Sequence, residues 1–281
     1  MKRGDGLNGS EKPRPGFPAR LVTHPVGVVK KTVSPQPSRP AVSLPAKSAP
    51  AAAGGLVQTP SRVASGFGTG SQAVRADMVR KLGAQGIAHD GVLAAMLAVE
   101  RHRFVDTALA NQAYEDTSLP IGLGQTISKP NVVARMLSLL FEREGVNLGR
   151  VLEIGTGCGY QAALLSHLSR EVYSIERLRG LHDKARENLR FFRLANLHLL
   201  FGDGMQGFAK GAPYSGIIAA AGGEAIPQAW IDQLAVGGRL VAPAVTATGQ
   251  QQLVVIDKTA RGVDRKELEP VLFVPLKSGI A

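Results

Sequence analysis

The pattern of apolar and polar positions divides the chain into three stretches. Residues 1–72 show no periodicity, residues 73–140 carry apolar positions at helical spacing, and residues from 150 onward alternate short apolar runs with helical segments. Strands that alternate with helices predict a mostly parallel sheet covered on both faces, because each crossover helix packs back onto the sheet. The predicted fold class is α/β, with a doubly wound, Rossmann-like sheet preceded by N-terminal helices.

Three helices are predicted before the first strand of this sheet. The first begins near Gln72, and the second follows Asp90, which is predicted as its N-cap. The third begins at the predicted cap Ser128, has a proline in its first turn and runs through Leu140.

Seven short apolar runs predict the strands that follow. The last two have no helix between them, which predicts an antiparallel edge. The runs are Val151–Ile154, Val172–Ile175, Leu197–Phe201, Ile217–Ala220, Leu240–Ala242, Leu253–Ile256 and Val271–Val274.

Composition separates residues 1–72 from the rest. This segment holds ten of the 17 prolines, and residues 1–74 carry ten Lys and Arg against two acids, whereas the remainder has 23 basic residues against 20 acidic ones. A stretch with so little apolar periodicity cannot offset its chain entropy, so we predict a disordered basic leader over 1–72 and one folded domain over 73–281. The leader either is a solvated extension with no specific role or makes a weak electrostatic contact with an acidic partner.

The single cysteine, Cys158, excludes an intramolecular disulfide and fits a reducing compartment. The six histidines and Cys158 show no metal-ligand spacing, so no metal site is predicted. No apolar run is long enough to cross a membrane and no cleavable signal precedes the domain. We therefore expect a cytoplasmic monomer without a membrane partner, and no nucleic-acid partner for the folded domain.

Polar or glycine clusters lie at the ends of three predicted strands, at the sheet edge where doubly wound proteins bind ligands. The first cluster contains Glu153, Gly155, Thr156, Gly157 and Gly159, the second is Glu176, and the third is Asp203 with Gly204. A carboxylate such as Glu176 can accept hydrogen bonds from both ribose hydroxyls, and Asp203 can accept one from the adenine amino group. Each acid could equally be a solvated strand end, but the three clusters in register predict an adenosine-containing ligand.

The spacing of the glycines distinguishes between nucleotide ligands. A dinucleotide-binding loop requires a third glycine at position 160, where this chain has Tyr160. No lysine follows a G-x-x-x-x-G pattern, which disfavours a triphosphate site. Glu153 followed by G-x-G-x-G is the form typical of methyltransferases.

These segments resemble the bacterial protein-L-isoaspartate (D-aspartate) O-methyltransferases. The resemblance covers about residues 73–281 and is strongest at 151–161 and at the diagnostic segment 119–130, LPIGLGQTISKP. Shorter matches include RFVD at 103–106, GDG at 202–204, the 221–227 loop and FVPL at 273–276. The sequence departs from the family pattern at Asn131, Met205, Ala220 and Leu272.

The resemblance implies the S-adenosylmethionine methyltransferase fold and methyl transfer to the free carboxylate of L-isoaspartyl residues, and it leaves acceptance of D-aspartyl residues open. It implies S-adenosyl-L-methionine as cofactor, S-adenosyl-L-homocysteine as product, damaged peptides and proteins as partners, and repair through a succinimide. It also implies that Ser128 is the active-site residue, although spacing alone favours a helix-capping role.

An acceptor carboxylate is already ionised at neutral pH, so the reaction needs orientation and exclusion of water more than a base. We expect Thr126 and Ile127 to contact the acceptor beside Ser128. Phe273 and Val274 either pair with the acceptor backbone or form the last core strand. Two rival functions are a methyltransferase for small molecules or nucleic acids, and a non-enzymatic module that binds nucleic acid through its leader.

Overall fold

A computed structural model describes residues 68–142 and 149–281, in which one seven-stranded sheet forms the centre of the fold. Almost all of the predicted leader lies outside these ranges, and the first helix begins slightly ahead of the predicted domain boundary. The helices are α1 Gly68–Ala84, α2 Asp90–Ala98, α3 Pro130–Phe141, α4 Tyr160–Leu168, α5 Arg179–Leu189 and α6 Gln228–Gln233. The strands are β1 Leu119–Gly122, β2 Gln125–Ile127, β3 Arg150–Ile154, β4 Glu171–Glu176, β5 Leu197–Phe201, β6 Tyr214–Ala219, β7 Leu234–Val245, β8 Gln251–Thr259 and β9 Gly262–Pro270.

The order of the strands in the sheet is β5-β4-β3-β6-β7-β8-β9. The first five are parallel, and β8 and β9 add an antiparallel edge. The predicted α/β class and mostly parallel sheet are confirmed. β1 and β2 form a separate antiparallel hairpin ahead of α3.

Apolar side chains cover both faces of the sheet, as the alternating pattern requires. Val151 of β3 packs in a core shared with α1 to α5, whereas its neighbour Leu152 packs in a second core with Trp230 of α6. Successive residues of a strand point to opposite faces, so a central strand such as β3 is buried on both faces and exposes only its first residue, Arg150. None of the helices in the described ranges is both long and apolar enough to cross a membrane.

The prediction for the last strand is wrong. Residues 271–274 are not a strand, and the sheet instead ends with β9, whose side chains are nearly all exposed. An exposed edge strand needs no apolar positions, because its backbone hydrogen bonds to β8 hold it in place. The apolar segment that follows leaves the sheet edge and approaches the β6–α6 loop, where Pro275 forms an isolated bridge with Gly222.

Both predicted helix caps are also wrong. His89, not Asp90, is the N-cap of α2, and its Nδ1 accepts a hydrogen bond from the backbone N–H of Val92 at 3.3 Å. Lys129 is the N-cap residue of α3, so Ser128 lies one residue outside the helix. Pro130 occupies the first turn as predicted, which favours the start of the helix without a side-chain cap.

Candidate cofactor and acceptor site

A cavity of about 470 Å³ opens at the carboxyl ends of β3 and β4. Its walls are the β1–β2 hairpin with the following turn, the glycine loop after β3, the end of β4, and the segment 274–277. This is the edge at which parallel sheets bind ligands, and the volume lies within the range typical of cofactor sites. The cavity includes Thr126, Ile127, Ser128, Gly155, Thr156, Gly157, Glu176, Gly204 and Val274 from the predicted site.

The glycine loop turns tightly from β3 into α4. Gly155, Gly157 and Gly159 all have positive φ angles, between 57° and 94°, which residues with a side chain adopt only with strain. The Gly155 amide donates to the carbonyl of Ile175 at 2.8 Å, which ties the loop to the end of β4. Gly159 lies outside the cavity and starts α4 against Leu189 of α5.

Glu176 is the carboxylate that joins the loop to the cavity. Its Oε2 accepts from the Gly157 amide and its Oε1 accepts from the Leu178 amide, both at 2.9 Å. The residue is buried yet lines the cavity. Each carboxylate oxygen has a second lone pair, so Glu176 can still accept hydrogen bonds from a ligand.

Glu153 lies behind the glycine loop and does not line the cavity. The Ser174 hydroxyl donates to its Oε2, and Thr156 Oγ1 is 2.6 Å from the same Ser174 oxygen. Burial raises the pKa of Glu153 to about 8, although hydrogen bonds from Ser174 and Gln161 partly oppose the shift. Glu153 therefore contacts the cavity only indirectly: it is hydrogen-bonded to Ser174, which is hydrogen-bonded to Thr156 in the cavity wall.

Asp203 is also outside the cavity. Its Oδ1 accepts from the Met205 amide at 2.9 Å, and its Oδ2 accepts from the Gly279 amide at 2.7 Å. These bonds hold the end of β5 against the C-terminal residues. The predicted contact between Asp203 and an adenine amino group stays a prediction, and it would have to use the remaining lone pairs.

Ser128 lies at the cavity wall between β2 and α3. Its backbone carbonyl accepts from Arg101 Nη2 at 2.7 Å, while its hydroxyl has no hydrogen bond within the described ranges. Thr126 is exposed and Ile127 is buried, as expected for adjacent residues of a strand. Because Ser128 does not cap α3, its hydroxyl is available to a ligand.

The segment after β9 already makes much of its backbone hydrogen bonding within the protein. Phe273 donates its amide to Gln251 Oε1 at 2.6 Å, and the Val274 carbonyl accepts from Gly222 at 2.9 Å. Phe273 packs against the larger core and does not line the cavity. Pairing of Phe273 and Val274 with an acceptor backbone stays a prediction, and these bonds leave fewer groups for it.

Several cavity residues were not predicted as site residues. Tyr160 and Gln161 lie at the start of α4, Arg177 follows Glu176, and Lys277 comes from the C-terminal segment. Tyr160 and Gln161 belong to the motif at 151–161, so the sequence did contain a signal for them. The sequence contained no signal for Lys277, because only the path of the chain after β9 brings this residue to the cavity.

Cys158 lines the cavity but is buried, and burial raises the pKa of its thiol to about 11. A thiol with so high a pKa is a poor nucleophile at neutral pH. Cys158 is therefore best described as a small residue in a tight loop.

Comparison with known proteins places the chain in a family. Residues 73–281 match the family described as Protein-L-isoaspartate(D-aspartate) O-methyltransferase (PCMT). The chain belongs to this family. A protein-L-isoaspartate O-methyltransferase of Methylibium petroleiphilum is 54% identical over 277 residues, covering 97% of this chain and 99% of the relative. One from Leptothrix cholodnii is 53% identical and covers 97% of this chain and 98% of the relative.

Solved structures of PCMT proteins have the same fold. A protein-L-isoaspartate O-methyltransferase with 25% identity has a TM-score of 0.66, covering 73% of this chain and 67% of the other. A putative protein-L-isoaspartate O-methyltransferase from Plasmodium falciparum, in complex with S-adenosyl-L-homocysteine, has 25% identity and a TM-score of 0.63, covering 72% of this chain and 98% of the other. The resemblance inferred from the motifs is therefore confirmed.

Replacing Glu153 with Gln should change how stability depends on pH. The folded chain holds a proton on Glu153 up to about pH 8, whereas the ordinary pKa is 4.5, so the native state loses stability as pH rises between these values. Glu153→Gln cannot ionise, and its free energy of unfolding should rise relative to the unchanged protein by up to about 1.4 kcal/mol per pH unit in this window. Denaturant unfolding without cofactor from pH 5 to 8 measures the difference; a constant difference would contradict the prediction.

Proposed function

We propose that this chain transfers the methyl group of S-adenosyl-L-methionine to the free carboxylate of L-isoaspartyl residues, and that Ser128 positions that carboxylate. The chain is an S-adenosylmethionine-dependent carboxyl O-methyltransferase of the PCMT family, and the methyl ester starts repair through a succinimide. The observation that supports the residue-level proposal is the single cavity into which Glu176, the glycine loop and Ser128 all face.

The residues of the cavity fit the cofactor. Gly155 and Gly157 let the backbone approach a ligand closely, and Glu176 offers lone pairs at the end of β4 where ribose hydroxyls can donate to them. Apolar side chains such as Ile154, Ile175 and Leu178 supply the remaining walls. Glu176, Gly155, Thr156 and Gly157 would therefore hold the adenosine portion directly, with Glu153 and Asp203 fixing the loops around it.

The reaction requires position more than acid–base chemistry. When bound, S-adenosyl-L-methionine supplies a methyl carbon that forms a bond to a carboxylate oxygen while the electron pair of the broken carbon–sulfur bond stays on sulfur. An α-carboxylate is ionised above about pH 3.5, so no residue has to remove a proton. The Ser128 hydroxyl can donate to the second oxygen and orient the first, and positioning of this kind is a major contribution to catalysis.

The acceptors are isoaspartyl-containing proteins and peptides, and we extend this to D-aspartyl residues as a proposal. A monomeric state, the absence of a nucleic-acid partner for the folded domain and a cytoplasmic location stay predictions from the sequence. Among the rivals, transfer to a small molecule or nucleic acid lacks support, because two relatives that each match 97% of the chain are named as protein-L-isoaspartate O-methyltransferases.

The direct test uses two peptides that differ only in the linkage of one residue. The full chain is incubated with methyl-labelled S-adenosyl-L-methionine and a peptide containing either isoaspartate or aspartate. We expect a base-labile methyl ester on the isoaspartyl peptide alone. Equal labelling of both peptides, or of neither, would contradict the proposed function.

Ser128→Ala should lower turnover of the isoaspartyl peptide by about 10-fold or more, because the loss of one orienting donor raises the barrier by about 1.4 kcal/mol per factor of ten. Binding of S-adenosyl-L-homocysteine and the melting temperature should change little, since Ser128 does not cap α3. Ser138→Ala, the same substitution within α3, is the matched control. A parallel loss of stability and cofactor binding would show that Ser128 has only a structural role.

Glu176→Ala should weaken S-adenosyl-L-methionine binding by about 10-fold or more in calorimetry, because it removes the carboxylate that also fixes the Gly157 amide. Glu171→Ala is the control, since Glu171 starts the same strand, at the end away from the cavity. Unchanged affinity in Glu176→Ala would remove Glu176 from the cofactor site.

A further inference from the structure

A buried arginine lies directly behind the wall that carries Ser128. Arg101 is fully buried; its Nε donates to the carbonyl of Ala113 and its Nη2 to the carbonyl of Ser128, both at 2.7 Å. Its guanidinium carbon is 4.8 Å from the centre of the Tyr160 ring, and Tyr160 itself lines the cavity. Arg101 thus links Ala113 to two walls of the candidate site, namely the turn that carries Ser128 and the start of α4 at Tyr160.

No carboxylate within the described ranges forms an ion pair with Arg101. Its Nη1 completes no hydrogen bond of normal geometry, and the buried Tyr160 hydroxyl beside it completes none either. Burial lowers the pKa of Arg101, but an arginine remains charged at any pH the protein meets. A fully buried charge is normally paired, because it loses its hydration without compensation. Carbonyls and an aromatic face compensate Arg101 only partly.

Other charged groups near the site are placed differently. Asp116 is exposed, and its Oδ1 already accepts from the Asn131 amide at the N-terminus of α3. Lys277 is exposed, and Arg177 donates to the Gly279 carbonyl. Water screens exposed charges strongly, whereas a charge within the protein acts over a larger distance. Of these charged groups Arg101 alone is fully buried, so its charge is the one that water screens least.

We propose that Arg101 is a positioning residue for the acceptor, whose carboxylate supplies the close negative charge that no ion pair within the described ranges provides. The proposal rests on the proposed function, because it takes an anionic acceptor at Ser128 as given. Arg101 acts in two ways: it fixes the Ser128 backbone through the 2.7 Å hydrogen bond, and it makes the cavity beside Ser128 positive.

The charge of Arg101 should favour binding more than the chemical step. The acceptor carboxylate is fully negative when it binds, but methyl transfer to it removes that charge. A fixed positive charge consequently stabilises the bound acceptor more than the transition state, in which the negative charge is already reduced. Loss of the Arg101 charge should therefore raise KM more than it lowers kcat. Any displacement of Ser128 would lower kcat in addition.

The test compares two ligands in the complex with S-adenosyl-L-homocysteine, which lacks the sulfonium charge, so that only the protein attracts the acceptor. One ligand is an isoaspartyl peptide, and the other is the same peptide with the free carboxylate replaced by a carboxamide. Calorimetry on the full chain gives the ratio of the two affinities. We expect the unchanged protein to prefer the carboxylate at least 10-fold, and Arg101→Gln to reduce this ratio at least fivefold.

A merely structural role predicts a different result. If Arg101 only supports the wall, Arg101→Gln weakens both peptides equally and the ratio stays constant, which would overturn the proposal. Arg101→Lys keeps the charge and should keep the ratio within about threefold, even where turnover falls. Arg239→Gln is the control for removal of a largely buried arginine, since Arg239 pairs with Asp257 on β8, away from the cavity.

A further variant keeps the proposal testable if Arg101→Gln does not fold. Ser128→Ala removes the neutral hydroxyl but retains Arg101, so a preference of at least threefold for the carboxylate peptide should survive. Equal affinities in Ser128→Ala would show that Arg101 contributes no attraction and would overturn the proposal. If the unchanged protein neither binds nor methylates the isoaspartyl peptide, the proposed function itself fails, which is a separate outcome.

Discussion

The site depends on how two neighbouring parallel strands hold one loop between them. β3 and β4 pair in register, so that Glu153 lies opposite Ser174 and β4 extends one residue, Glu176, beyond the end of β3. Glu176 then receives the Gly157 amide, and the Ile175 carbonyl receives the Gly155 amide, which fixes the glycine loop at two points. Because the loop is held at these two points, a cavity remains open at the strand ends.

Polar groups buried beneath that loop make its position stiff. Glu153, Ser174 and Thr156 form a chain of hydrogen bonds in a region shielded from water. Burial raises the pKa of Glu153, which favours its neutral form in this network, while its Oε1 has no hydrogen-bond partner within the described ranges. The loop is thereby held by neutral hydrogen bonds below and by the carboxylate of Glu176 at the cavity.

The acceptor side follows a different physical principle. No histidine or second carboxylate lines the described cavity beside Glu176, and a carboxylate acceptor needs no base. What it needs is a fixed position and a favourable potential, and Ser128 together with the buried charge of Arg101 can supply both. The Ser128 hydroxyl is available for this task because Lys129, rather than Ser128, occupies the N-cap position of α3.

The sequence by itself determined the parallel sheet, the glycine loop, the acids that follow the strands and the family, because each depends on local spacing and periodicity. Only the tertiary structure separated Glu176, which lines the cavity, from Glu153 and Asp203, which do not. It also showed that β9 is polar, since an edge strand is held by backbone bonds that no side-chain pattern reports. Arg101 carried no signal, because its partners are backbone carbonyls 12 and 27 residues away, which any sequence provides and only the fold brings together.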